Sequence, residues 1–330
     1  MNKLSNFSFK KPNIRTVNKI KKHSVGLAVS IFRYALLISI GYIVIYPIIS
    51  IISTAVKAEE AFFDVSLYWL PKYISTDSFK AAIDAMDYGR SFFRTISLQI
   101  VSAIIEIIMC SIVAYGFARF EFKFKKIFTF LLMMTIVVPV PIYIVSMLVN
   151  FKSFDVLGIL GLFDVITGID LRPNLLDTNL TFYLPSLFAM GLRSGILIYI
   201  YIQFMSGLPK ELEEAAWIDG AGPFETFLKI AVPSSGVVFL TVSVFSIIWH
   251  WNDSYLSLMY FTRDYPLAVN LKSLGDVLKI NNPFNGASAT SMIHSTKMAG
   301  CLLFITPLLI GYLCVQNKFV KSIDRVGITG

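Results

Sequence analysis

Six long apolar stretches constrain this chain more than any other feature. They run over Arg33–Val56, Thr95–Ala118, Ile127–Asn150, Leu180–Met205, Ser234–Tyr255 and Met298–Gln316. A helix crosses a bilayer core with about 20 mainly apolar residues, and each stretch is long enough. None alternates with the two-residue period of a membrane β-barrel strand. The pattern predicts an all-α polytopic membrane protein with about six transmembrane helices. Pro47, Pro139, Pro141, Pro185 and Pro307 fall inside these stretches. Such prolines break soluble helices but are tolerated in a membrane bundle, where neighbours re-satisfy the backbone. Composition agrees: 55% of residues are hydrophobic and 15% charged, against about 25% charged in a typical soluble domain.

The direction of crossing follows from Lys and Arg. With a cytoplasmic N-terminus, segments 1–33, 118–127, 206–233 and 317–330 lie inside and hold 17 basic residues in 85 positions. Segments 57–94, 151–180 and 256–297 then lie outside and hold 11 in 110 positions, the remaining basic residue being Arg193 within the fourth stretch. Basic residues concentrate on the cytoplasmic side, so both termini are expected there. The organisation is a cytoplasmic tail over 1–32, a transmembrane domain over 33–316 and a cytoplasmic tail over 317–330. The first stretch is too long for a cleaved signal core and reads as an uncleaved span. The net charge of +8 is explained by this orientation and does not imply nucleic acid. The outer loops carry turn-rich composition, such as Asn281-Asn282-Pro283 and Asn285-Gly286.

Several functions lose support at this level. Cys110, Cys301 and Cys314 sit in apolar stretches without metal-ligand spacing, and His23, His250 and His294 are scattered; neither set suggests a metal site. No GxxxxGK[ST] phosphate loop is present, so nucleotide hydrolysis by that device would need a partner. No cofactor motif and no Ser–His–Asp set on an aqueous face points to catalysis, which leaves a membrane-embedded enzyme as a weak alternative.

One polar segment needs its own account. Residues 207–233 read GLPKELEEAAWIDGAGPFETFLKIAVP. Pro209 suits a first helical turn, and Glu211, Glu213 and Glu214 favour the positive end of a helix dipole. Asp219-Gly220 marks a turn, with Gly220 able to end a helix in the left-handed conformation. Pro223 restarts a second helix and Pro233 stops it. Leu212, Ala215 and Ala216 share one face, and Phe224, Phe227 and Leu228 make an apolar stripe. Two short helices at an elbow suit docking into another protein's groove. The same features suit a hairpin packed on the chain's own span ends.

The spacing Glu214-Ala215-Ala216, three residues, Gly220, nine residues, Ile230, one residue, Val232-Pro233 resembles the EAA loop of binding-protein-dependent ABC transporter permeases. Asp219, Ala221 and Phe227 fit the same pattern; Val232 stands where leucine is usual, and Val237 where many relatives carry a second proline. Ala114-Tyr115 with Ala118-Arg119, Phe122 and Lys125, then Trp251-Asn252-Asp253, then the tail Asn317 to Gly330, extend the likeness over about residues 90–330. It is nearest the sugar-importer branch and its maltose/oligosaccharide-type second permease.

The resemblance implies an ABC importer type I permease fold in a bacterial cytoplasmic membrane. It implies a heterodimer with a second homologous permease, two cytoplasmic ATPase subunits that hydrolyse ATP, an extracytoplasmic solute-binding protein and a carbohydrate substrate. It also implies that Glu214, Ala215, Ala216, Asp219, Gly220, Ala221, Phe227, Ile230 and Pro233 couple the chain to the ATPase. Glu214 would meet a basic group there, and Gly220 would form the bend. The competing reading is a secondary transporter without an ATPase; inverted repeats would favour it, and none is found.

Two charged residues lie inside spans. Glu106 is near the middle of the second, where an ionised acid is costly. It either lines a translocation path or bonds to a neighbouring helix, with protonation as one way of doing so. Arg193, within Gly191-Leu192-Arg193-Ser194-Gly195, is either a path residue or a structural ion-pair partner. Tyr183, Tyr199, Tyr201 and Phe204 suit sugar stacking, and suit helix packing better.

Overall fold

A computed structural model describes residues 14–58, 73–155, 158–281 and 287–328, with side chains described within 26–280 and 289–316 of these. The turn signals at Asn282-Pro283 and Asn285-Gly286, and Leu157 within the segment 151–180, fall outside the described residues. Among the described residues there is no strand, only an isolated bridge between Lys57 and Ile74.

The first apolar stretch lies in helix α1 (Ile14–Ala55). This helix starts well before Arg33, so part of the expected tail continues the helix. It exposes apolar side chains along its length, among them Ile38 and Ile43, as suits contact with lipid or another chain. Its end packs through Ala55 on Ala82 of α2 (Asp77–Ala85) and on Ala299 of α14 (Ala287–Ile328). Three alanines let these backbones approach closely. Pro47 and Pro307 are accommodated inside α1 and α14.

The second stretch is the centre of the bundle. Helix α3 runs from Tyr88 to Arg119, widened by a π turn over Ile96–Ile100. Its small and apolar face (Ile107, Cys110, Ala114) is buried with residues of α8 (Ser194–Ser206) and α11 (Gly236–Trp251).

The middle spans differ from the expectation of continuous helices. The third divides into α4 (Lys125–Val137) and α5 (Val140–Lys152), bent by 100°. Pro139 lacks an N–H and holds Val138 extended at ψ 117, which no helix can pass through. The fourth divides into α7 (Leu180–Leu187) and α8, with Ala189 and Arg193 in the left-handed region at φ 54 and 59. The fifth bends by 83° between Pro223–Ser234 (α10) and α11. Pro233 therefore does not stop the second loop helix; the chain turns two residues later, at Ser235. Among the described residues three helices are long and apolar enough to cross a membrane, or up to five if each bent pair is one span; the fourth stretch contributes the shorter apolar helix α8.

The helices α6 (Ile159–Thr167), α12 (Tyr255–Tyr260) and α13 (Leu267–Asn281) fall in or at the edge of the segments expected outside. Asp253 accepts bonds from the backbone N–H groups of Leu256 and Ser257, at 3.2 and 3.0 Å, and so starts α12. Trp251 beside it donates to the Phe304 carbonyl at 3.1 Å, tying α11 to α14.

The segments expected outside meet at one end. Arg94 donates to Asn179 Oδ1 and, at 3.1 Å, to the Asp264 carbonyl. Asp177 accepts from the Thr262 N–H at 2.7 Å. That bond holds the Asp177 carboxyl below its ordinary pKa.

Candidate functional site: the 206–233 loop and its anchor

The loop folds into two short helices joined at Gly220. The first, α9 (Glu211–Ile218), opens with three carboxylates in its first turn, where the partial positive charge of the unpaired N–H groups favours them. It closes with the Gly220 N–H bonded to the Trp217 carbonyl at 3.1 Å and the Ala221 N–H to the Ala216 carbonyl at 2.9 Å. Gly220 has φ +85. A Cβ there would meet nothing within 4 Å, so glycine is required by conformation and not by crowding. Pro223 begins α10 at its N-terminus, where a missing N–H costs nothing.

A second feature holds this elbow to the bundle, and the sequence did not single it out. Arg119, at the end of α3, donates from Nε to Glu213 Oε1 at 2.8 Å, and from Nη2 to the Leu208 carbonyl at 3.1 Å. Tyr115 Oη donates to Glu213 Oε2 at 3.4 Å. The Arg119 and Glu213 side chains are 3% and 4% exposed. Beside them Phe227 packs its ring on Tyr115, centroids 5.1 Å apart, and Ala231 is buried one turn on. The sequence offered Tyr115 and Arg119 at the end of one span and five acids in the loop, three more than the Glu214 and Asp219 of the motif, without showing which acid the arginine meets.

The loop therefore has an inner and an outer side. Of the residues singled out in the sequence, Phe227 is buried on the inner side; Ala216, Ala221 and Ile230 are half-buried; Glu214, Ala215, Asp219, Gly220 and Pro233 are exposed. Leu212, Trp217, Ile218 and Phe224 are also exposed, Ile218 by 87%. A hollow of about 310 Å³ between the two helices is lined by Ala216, Gly220, Ala221 and Ile230 with the Glu225–Lys229 pair at its edge. One side of the loop is packed on the chain's own spans, and the other presents apolar groups and a carboxylate outward.

Glu106 and Arg193 face other surroundings than this loop. Arg193 sits in the break between α7 and α8, its guanidinium 5.0 Å from the centre of the Trp249 ring, a cation–π placement. It borders a cavity of about 610 Å³ whose other walls include Leu131, Thr135, Tyr143 and Met190. Glu106 is fully buried between α3, α11 and the same break. Of the aromatic residues, Tyr201 is buried against Phe239, and Tyr183 is bonded to the Ser97 carbonyl and to Asn179.

Residues 106–325 match the family described as binding-protein-dependent transport system inner membrane component. The chain belongs to this permease family. It is thus a multi-pass protein of the cytoplasmic membrane and a transport subunit, not an enzyme. Among relatives, the trehalose transport system permease protein SugB of Mycobacterium tuberculosis is 24% identical over 291 residues, which cover 88% of this chain and 94% of that one. The melibiose/raffinose/stachyose import permease protein MelC of Bacillus subtilis is 26% identical over 287 residues, covering 86% and 91%. A chain from the crystal structure of a bacterial ABC transporter involved in the import of the acidic polysaccharide alginate superposes with a TM-score of 0.62 at 17% identity, over 94% of this permease and all of that chain. This last likeness is one of fold. The family match runs from Glu106 through the whole 206–233 loop to Arg325, near the end of α14.

Proposed function

We propose that this chain forms half of the translocation path of an ATP-driven importer for oligosaccharides or related carbohydrates, and that its 206–233 loop docks on a cytoplasmic ATPase subunit. The observation that carries the docking role is the two-sided loop. Its inner side is pinned by the Arg119–Glu213 pair, while Leu212, Trp217, Ile218 and Phe224 remain exposed on a polar-side loop. An amphipathic helix of this kind buries its exposed apolar groups in a partner's groove. Carbohydrate as the cargo class is supported by the relatives, whose names include trehalose, melibiose and raffinose.

The second permease of a heterodimer covers the long apolar flank of α1, α4 and α5, and a solute-binding protein meets the end where 57–94, 151–180 and 256–297 gather. Both termini and the loop are cytoplasmic; the meeting of Arg119 with Glu213 at one end and of Arg94, Asp177 and Asp264 with their partners at the other supports that alternation. Arg193 borders the path. Transport is a two-state change in which ATP closes the ATPase pair and the loop carries that motion to the spans.

Uptake of a labelled oligosaccharide into proteoliposomes tests the proposal. The chain is reconstituted with its second permease, ATPase and binding protein. Uptake should require ATP and all four components. Uptake by the chain alone, without ATP, would contradict the importer reading and favour a secondary transporter.

A further inference from the structure

Glu106 and His250 face each other inside the bundle, both with fully buried side chains. Glu106 Oε2 lies 3.5 Å from His250 Nε2. The other ring nitrogen, Nδ1, is 3.0 Å from the Ser246 carbonyl, one turn earlier in α11. A carbonyl oxygen only accepts, so Nδ1 carries a hydrogen. Nε2 of a neutral ring would then be a bare lone pair pointed at a carboxylate. Two lone pairs and a full charge without water are strongly disfavoured in such a place. A single proton between them removes the conflict, as a carboxylic acid donating to Nε2 or as an imidazolium facing a carboxylate.

Among the described residues the surroundings give the carboxylate one long hydrogen bond, from Ser246, and no ion pair with a Lys or Arg. On α11, Ser246 Oγ donates to Glu106 Oε2 at 3.4 Å and lies 3.4 Å from His250 Nδ1. On α3, the next titratable group is Cys110, whose Sγ lies 3.9 Å from the Ser194 carbonyl. On α8 it is Tyr201, buried against Phe239. Arg193, the cation of the adjacent break, has its guanidinium over Trp249. Glu106 Oε1, Ser186 Oγ and His250 Nε2 are buried without a hydrogen-bond partner. At the break itself, a Cβ on Gly191 would stand 2.7 Å from Glu106 Oε1 and 2.8 Å from Ser186 Oγ. The carboxyl is thus pressed against the backbone of the broken fourth span.

We propose that Glu106 and His250 form a proton-binding site, which holds one proton in the bundle and fastens α3 and α11 to the break between α7 and α8. Neutral, the pair lets the break pack dry against Glu106. Without the proton, the carboxylate draws water and the break loosens. The site stands apart from the coupling loop and does not depend on the cargo.

The full chain in lipid nanodiscs, with ¹⁵N-labelled histidine, tests this. Only three histidines are present, and a His250→Asn sample identifies the signal of interest. Infrared spectra of wild type and Glu106→Gln are recorded in parallel. Either a protonated-carboxyl band that disappears in Glu106→Gln, or a doubly protonated His250, supports the site. A neutral, Nδ1-protonated His250 together with no carboxyl band sensitive to Glu106 overturns it. Thermal unfolding gives a second reading. Glu106→Gln supplies an N–H toward Nε2 and should keep the wild-type midpoint, while Glu106→Ala should lower it. An equal fall in both variants would show that the pair does not need a donor there and would also overturn the site.

Discussion

Arg119 and Glu213 form a buried ion pair, Nε to Oε1 at 2.8 Å, that joins the end of α3 to the first helix of the 206–233 loop. Glu214, the next residue, is exposed. Two adjacent glutamates thus have different surroundings. Breaking a buried pair by removing one partner costs about 3–5 kcal/mol, because the other charge stays buried and unpaired. Glu213→Ala and Arg119→Ala should each lower the unfolding midpoint in detergent and raise protease cleavage within 206–233. The double variant should cost less than the sum. Glu214→Ala should leave stability within about 0.5 kcal/mol. Equal effects of Glu213→Ala and Glu214→Ala on unfolding would remove the anchor assignment.

Gly220 holds φ +85 with open space around its missing Cβ. A non-glycine residue in this conformation costs roughly 1–2 kcal/mol. Gly220→Asn, which tolerates the left-handed region, should retain most uptake. Gly220→Val should abolish it at normal membrane levels. Wild-type uptake by Gly220→Val would mean that the elbow angle does not matter for coupling.

The Asp177–Thr262 link between two outer segments sets a pH dependence. The Thr262 N–H, with its hydroxyl, holds the carboxyl below the ordinary value of 3.8. A depressed acid contributes stability that is fully present above its unfolded-state pKa and is lost as pH falls through the lowered folded value. Protease protection of 151–180 should therefore be flat from neutral pH down to about 4 and weaken below it. Asp177→Ala should remove both the protection and its acid dependence. An unchanged acid response in that variant would assign it to another group.

The topology is checked at Lys210, which is exposed in the loop. Cys314 is exposed and Cys301 half-exposed, so both are first replaced by serine. Lys210→Cys should then resist an impermeant thiol reagent in intact cells and react after permeabilisation. Ready labelling in intact cells would invert the orientation.

The parts of this architecture that depend on local pattern were legible in the sequence. The helical spans followed from apolar length, and the elbow at Asp219-Gly220 followed from turn chemistry. The breaks were less so. Pro47 and Pro307 remain inside helices while Pro139 ends one, because Val138 turns extended and Pro141 restarts the chain in the next first turn. The break at 188–193 uses Ala189 and Arg193 in the left-handed region, residues that give no such signal. The anchor was hidden for a different reason. Arg119 and Glu213 are 94 residues apart, and a single sequence does not reveal which buried acid meets which base. For Glu106 the pattern gave two roles, and its enclosure against His250 favours the bond to a neighbouring helix.

The docking of the loop on the ATPase is tested most directly by how much ATPase subunit co-purifies with loop variants. Glu214→Lys reverses the exposed charge, Ile218→Asp removes the most exposed apolar group of the loop, and Ala216→Glu fills the hollow between the helices. None touches the Arg119–Glu213 pair, so membrane levels should match wild type. Each variant should retain at least about tenfold less ATPase, a loss of ~1.4 kcal/mol, and should lose uptake in proportion. Full ATPase retention with normal uptake in all three variants would contradict the coupling role of residues 206–233.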